Sequence, residues 1–300
     1  MRLFLALLSL SLIWGMSFMF IKILVPAVGP MGVVFYRCLF GAIAILVYLI
    51  AKGRVSNLFK KLPWGSLILV GMLNALIPWG LIAFSEERIS SSLAAALNAT
   101  TPLFTGILGA LFFSRVLKAR QWSGVIIGFI GILFLIEFDV GSFFQEDWVG
   151  IVPMLVATAC YGYASQFAKK NLANVPVDIM AIMTLTVGAV GGAIMMLITG
   201  DAPSFTPIIE RDILLSLIGL GVFGSGIGYL LFFYMIQKGT AEFATLVTYL
   251  VPVTALFWGS ALLGEAVTLP MIVGLLFIFT GVYLSGRKTK TERNHLRKTA

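Results

Sequence analysis

Residues 91–113 read SSLAAALNATTPLFTGILGALFF, and residues 241–263 read AEFATLVTYLVPVTALFWGSALL. Ala94, Pro102 and Gly109 of the first stretch recur 150 positions later, without a gap, as Ala244, Pro252 and Gly259. Each stretch is long and apolar enough to cross a bilayer, which takes about 20 residues of helix. The same register extends in both directions. Ser66-Leu67-Ile68 with Gly71 returns as Ser216-Leu217-Ile218 with Gly221, and Gly124 and Gly131 return as Gly274 and Gly281. Gly and Pro matches mark backbone geometry, so they outweigh Leu matches in an apolar chain. Further upstream the offset becomes 147: Trp14-Gly15, Phe20 and Lys22 face Tyr161-Gly162, Phe167 and Lys169. Self-similarity at one fixed spacing reads as a duplicated unit.

Composition identifies the solvent around that unit. Of 300 residues, 59% are hydrophobic and 11% charged, and the mean hydropathy is +1.01. Soluble domains average about 45–50% apolar and about 25% charged. A fold with 21 basic and 13 acidic residues could not wet a surface of this size. A soluble enzyme, a disordered chain and a disulfide-rich domain are excluded. Cys38 and Cys160 sit inside apolar runs and read as small buried hydrophobes. His295, the single histidine, lies in the charged C-terminal tail. No metal site and no cofactor is expected.

Ten apolar segments bounded by charge, Pro or Gly read as spans: 3–25, 31–51, 64–84, 91–113, 121–137, 148–168, 177–198, 213–235, 243–263 and 267–285. The first run continues past Trp14-Gly15 without an obvious small-residue cleavage site, so it reads as a span and not a signal peptide. With the N-terminus in the cytoplasm, 17 of the 21 Lys and Arg fall inside, and only Arg88 and Arg211 fall outside. That asymmetry obeys the positive-inside rule and requires an even number of spans. The expected fold is an all-α integral membrane protein of ten transmembrane helices. They form two inverted five-helix repeats, residues 1–140 and 147–286, followed by a basic cytoplasmic tail, 287–300. Both termini are cytoplasmic. Five spans per copy invert the second copy, an arrangement common among secondary transporters.

Trp14-Gly15-Met16-Ser17-Phe18 with Lys22, followed by Tyr36-Arg37, resembles the first half of the ten-helix EamA-type members of the drug/metabolite transporter superfamily. Tyr249-Leu250-Val251-Pro252, Leu263-Gly264-Glu265, Gly274 and Gly281 resemble the second half. The resemblance spans residues 5–286. It departs at Ser114-Arg115, which matches Gly264-Glu265 across the repeat, where the family often has Gly-Glu in both copies. It implies inner-membrane export or exchange of small metabolites, often amino acids or related compounds. It also implies a central cavity lined by spans 1, 3, 4, 6, 8 and 9.

Mid-depth polar groups are the substrate-binding candidates: Trp14, Ser17, Asn74, Trp79, Asn98, Thr101, Tyr161, Gln166, Tyr229 and Tyr249. Ser, Thr and Asn also join helices to one another, so each of them has a structural reading as well. Lys22 and Arg37 are the charged residues inside spans, and Pro102 and Pro252 are equivalent candidate hinges. No acid is expected at mid-depth; Glu137 and Glu265 come nearest, at span ends. Proton coupling therefore lacks an evident carrier, and exchange or facilitated transport fits at least as well. Such a site suits a neutral or zwitterionic, partly apolar small molecule moved by alternating access. The alternative is a multidrug or cationic-compound efflux carrier, which would want an embedded carboxylate. No enzyme activity and no nucleic-acid partner is expected. The expected partners are the substrate and the bilayer, and the expected state is a monomer or weak homodimer.

Overall fold

The computed structural model describes residues 2–89, 91–115, 117–138, 141, 147–199, 210–263 and 268–286. Gly264, Glu265 and the tail 287–300 lie outside them, as does the side chain of Lys22. All regular structure among the described residues is helical.

Arg2–Ala51 is continuous helix except at Gly29, whose φ of 70° and ψ of 166° are open essentially to glycine alone. Pro30 follows, and its fixed φ starts a new helix. The chain reverses here. Phe20 and Phe40, on opposite sides of Gly29, both lie against the short segment Gly219–Gly221. This hairpin comprises α1, residues 2–28, and α2, residues 30–51. Then follow α3 (Trp64–Glu86), α4 (Ser91–Asn98), α5 (Thr101–Phe113), α6 (Ala119–Leu135), α7 (Trp148–Asn171), α8 (Val177–Thr199), α9 (Arg211–Lys238), α10 (Ala241–Thr245), α11 (Val247–Leu263) and α12 (Leu269–Gly286).

By length and composition, eight of the segments described could cross a membrane. Two shorter apolar helices, α6 and α12, join them. Their outer faces are apolar: Leu111, Leu197 and Leu276 are 70%, 79% and 64% exposed. A soluble monomer rarely exposes contiguous apolar surface on this scale. The charged exceptions sit at helix ends. Arg54 pairs with Asp178 at 3.2 Å at one end of the bundle, and Arg88 with Asp147 at 3.1 Å near the other.

Between lipid-facing helices there is little hydrophobic drive, so close approach at small residues does the packing. α6 and α12 make the closest pair. A Cβ on Gly124 would stand 2.7 Å from the Gly281 carbonyl oxygen, and one on Gly131 would stand 2.7 Å from that of Gly274. Residues 150 apart thus exchange partners: 124 meets 281, and 274 meets 131. Elsewhere Gly162 of α7 fits against the backbone of Thr105, and Gly192 of α8 against the backbone of Phe35.

Two spans are not plain α-helix. Met72–Leu76 in α3 and Gly219–Ile227 in α9 are π-helical. The first maps onto the second at the 150-residue offset. Widened turns of this kind re-aim the side chains around them and recur at functional sites.

Gly131→Leu forces side-chain atoms into the α12 backbone. We expect a loss of about 2–3 kcal/mol, in the range of an overpacked core. Thermal melts followed by size-exclusion chromatography check this, with Gly65→Leu as control because nothing lies within 4 Å of a Cβ there.

Candidate substrate site

The π-turn of α3 presents Asn74, and the helix then carries Trp79 one and a half turns further. The π-turn of α9 presents Ser225, and Tyr229 follows. Trp79 and Tyr229 occupy equivalent places at the 150-residue offset. They meet, with ring centroids 5.8 Å apart. The Tyr229 hydroxyl donates to the carbonyl of Asn74. Tyr229 also stacks on Phe233, at 5.5 Å.

Arg37 enters this contact from α2. It is 8% exposed. Its guanidinium lies over the Trp79 ring, 3.6 Å from the centroid, and Nε donates to Ser225 Oγ at 3.2 Å. A desolvated cation over a tryptophan face gains about 2 kcal/mol, far below the cost of removing the charge from water. No carboxylate among the described residues comes within ion-pair distance of it. Glu86, at the end of α3, is close enough for its charge to act on Arg37. Tyr161 of α7 lies beside Trp79 and Arg37. One carboxylate oxygen of Glu86, Oε1, is buried and has no hydrogen-bond partner among the described residues. Asn74 is 1% exposed, and neither atom of its side-chain amide has a partner among the described residues. Buried polar groups are normally paired, so an orphaned amide inside the bundle marks a place for a bound molecule or water.

Trp14 reaches the cluster's edge. Its indole donates to the carbonyl of Gly224 at 2.9 Å, and its ring tilts against Phe232 at 5.6 Å. Ser17 is buried nearby and donates to its own helix, to the carbonyl of Ile13 at 3.2 Å. Asn98 and Thr101 lie where α4 gives way to α5. Thr101 caps the carbonyl of Asn98 at 2.7 Å, and Asn98 Oδ1 is buried without a partner among the described residues. Thr100 crosses to Thr158 of α7 at 3.0 Å. The helix is interrupted here, immediately before Pro102, which sits in the first turn of α5. Pro252 lies inside α11, and the corresponding interruption is at Leu246, between α10 and α11.

Besides Asn98 and Thr101, two more predicted residues have their contacts outside the cluster. Tyr249 is fully buried; its ring covers Gly128 and its hydroxyl donates to the carbonyl of Val125 at 2.7 Å, tying α11 to α6. Gln166 lies at the other end of α7. Its amide donates to the carbonyl of Thr105 at 3.0 Å and to Glu242 at 2.7 Å, joining α7, α5 and α10. Sequence reasoning missed Glu86, which it placed in a loop, and Ser225, which it read only as part of a soft glycine-rich run. The signal for Ser225 was its place in the span that matches Asn74 across the repeat.

The fold and these spans define a multi-pass helical membrane protein with a polar and aromatic interior. The chain belongs to the EamA-like transporter family, which matches residues 1–137 and again 148–287. It is 24% identical to the uncharacterized transporter YoaV of Bacillus subtilis over 284 residues, covering 95% of this chain and 96% of that one. It is 29% identical over 276 residues to the uncharacterized inner membrane transporter YedA of Escherichia coli K12, covering 89% and 84%. A solved structure titled "Crystal structure of protein" shares the fold at a TM-score of 0.78 and 16% identity, over 95% of this chain and 96% of that one. The family and its relatives are transporters and not enzymes.

Tyr249→Phe removes one buried hydrogen bond and leaves a carbonyl unpaired. It should lower stability by about 1–2 kcal/mol. Substrate affinity should be unchanged, and a thermal melt beside a transport titration separates the two.

Proposed function

We propose that this protein is a secondary transporter that exports or exchanges small neutral or zwitterionic metabolites, amino acids or related compounds, across the inner membrane. Alternating access of two inverted five-helix repeats, with ten spans and both termini in the cytoplasm, is the mechanism we assign. The positive-inside asymmetry supports that orientation. The reciprocal glycine contacts of α6 and α12 and the paired π-turns support the repeat. At 17 residues, α6 is about 26 Å long, close to the hydrocarbon thickness of about 30 Å.

The observation that carries the substrate class is Arg37. It is a buried cation stacked on Trp79, with no acid at ion-pair distance among the described residues. A carboxylate there would complete a charge-assisted, two-pronged pair with the guanidinium. Glu86 Oε1 offers a partner to an ammonium group, and Trp79, Tyr161 and Tyr229 supply aromatic faces for an apolar body. A zwitterion satisfies all of these at once.

A second reading is efflux of cationic compounds. The unpartnered oxygen of Glu86 favours it, and the positive charge of Arg37 opposes it. Counterflow into liposomes with labelled L-leucine and L-phenylalanine decides. Wild type should accumulate label, and Arg37→Gln should raise KM at least about tenfold, the effect of about 1.4 kcal/mol. Absence of counterflow for every zwitterion overturns the proposal. Phenethylamine flux that survives Arg37→Gln and is lost in Glu86→Gln establishes the cationic reading instead.

A further inference from the structure

Among the described residues, a cavity of about 180 Å³ opens at the end of the bundle opposite Glu86. It is lined by Phe113, Ser114, Arg115, Gln166, Lys169 and Lys170. Two elements bring these residues together, the end of α5 and the last turn of α7. Ser114 ends α5 in the left-handed region, at φ 53° and ψ 32°. That conformation disfavours any side chain, and it turns the chain so that Arg115 lines the cavity rather than continuing the helix. The same position carries glycine in the second half, Gly264.

Three cations share the cavity. Lys169 is held in place: its Nζ donates to the carbonyls of Gln237 and Gly239, at 2.9 and 2.8 Å. Lys170 lies over the Phe113 ring at 5.7 Å. Arg115 forms no ion pair among the described residues. Behind Gln166 stands Glu242, whose carboxylate accepts from the Gln166 amide. Phe113, packed on Tyr163 at 5.2 Å, gives one apolar wall. A preference for basic residues on the cytoplasmic side explains why cations are present at this end. It does not explain their convergence on one cavity. Arg54, at the same end, is matched by Asp178.

We propose that this cavity is a cytoplasmic loading site for carboxylates. A carboxylate docks between Arg115 and Lys170, with its apolar body against Phe113, before it moves inward toward Arg37. This rests on the reading of the protein as a carrier of carboxylate-bearing metabolites and on the orientation assigned above. It gives the Ser114-Arg115 departure a role. A basic residue at the inner mouth concentrates anions from the side on which an exporter finds its cargo.

Binding of labelled benzoate to the full-length protein in phosphatidylcholine nanodiscs tests the site without requiring transport. Arg115→Gln and Lys170→Gln should each weaken binding about fivefold, as for a charge-assisted hydrogen bond at a partly open site. Raising salt should weaken wild-type binding more than either variant. Benzamide, which lacks the charge, should not compete. Replacing half of the lipid with phosphatidylglycerol separates sources: unchanged benzoate affinity supports a site for soluble carboxylates, and lost affinity assigns the cavity to anionic headgroups and overturns the loading role. Equal benzoate binding by wild type and the double variant also overturns it. Sided transport gives a second readout. In vesicles loaded with L-phenylalanine, Arg115→Gln should raise KM from the cytoplasmic side and leave KM from the other side unchanged. Equal effects on both sides reject a loading site. Arg37→Gln should spare benzoate binding at the inner mouth, so failure of the central site and failure of the loading site give different results.

Discussion

Lipid outside the bundle sets the terms for everything inside it. Water drives soluble helices together by expelling their apolar faces, and a hydrocarbon solvent does not. What remains is contact close enough for dispersion and for polar groups to pair. The α6–α12 contact meets this requirement at Gly124, Gly131, Gly274 and Gly281, where backbone lies on backbone. The same constraint recurs where Gly162 meets Thr105 and where Gly192 meets Phe35. Glycine, costly within an ordinary helix, here decides which helices touch.

Tight packing leaves few places for polar groups, so those present carry information. Many buried hydroxyls donate to their own helix, as Ser11, Ser17, Thr105 and Ser165 do. Such bonds satisfy the group and demand nothing from a neighbour. Arg37 and Asn74 differ. Their partners come from other helices or are missing, and both meet at widened turns in α3 and α9. The protein places its unsatisfied polarity where its helices are least regular. Functional sites are where such departures from local consistency are expected.

Much of this was legible from residues alone, because the signals were repetitive. Length, hydropathy and the 150-residue register depend on counting, and they anticipated the hairpin break between Pro26 and Pro30. Residues 91–113 read as one unbroken span, with Pro102 only as a candidate hinge, and the helix is in fact interrupted before it. Contacts between distant elements were not legible. Trp14, Trp79, Tyr161, Tyr229 and Arg37 do converge, but Tyr249 and Gln166 look no different in sequence and serve elsewhere, as ties between helices. Glu86 was hidden for another reason. A residue at a helix end reads as loop, although a side chain there can still turn inward and bury one oxygen. The π-turns were hidden too, since one extra residue in a turn leaves the average apolar pattern unchanged.

The distribution of charge now bears on mechanism. Arg37, Trp79 and Tyr229 are packed in direct contact, whereas open space lies at the end that holds Arg115 and Lys170. In the orientation proposed above, the basic mouth faces the cytoplasm, while the central cation stays covered by an aromatic ring. On the proposed reading, a carboxylate reaches Arg37 by taking the place of the Trp79 face. That exchange loosens the Trp79–Tyr229 contact, which joins α3 to α9. Both helices carry a π-turn immediately before the residues in contact, so a shift there moves an aromatic ring without unwinding a span. Substrate binding and helix movement then act on one contact, which is what coupling between them requires.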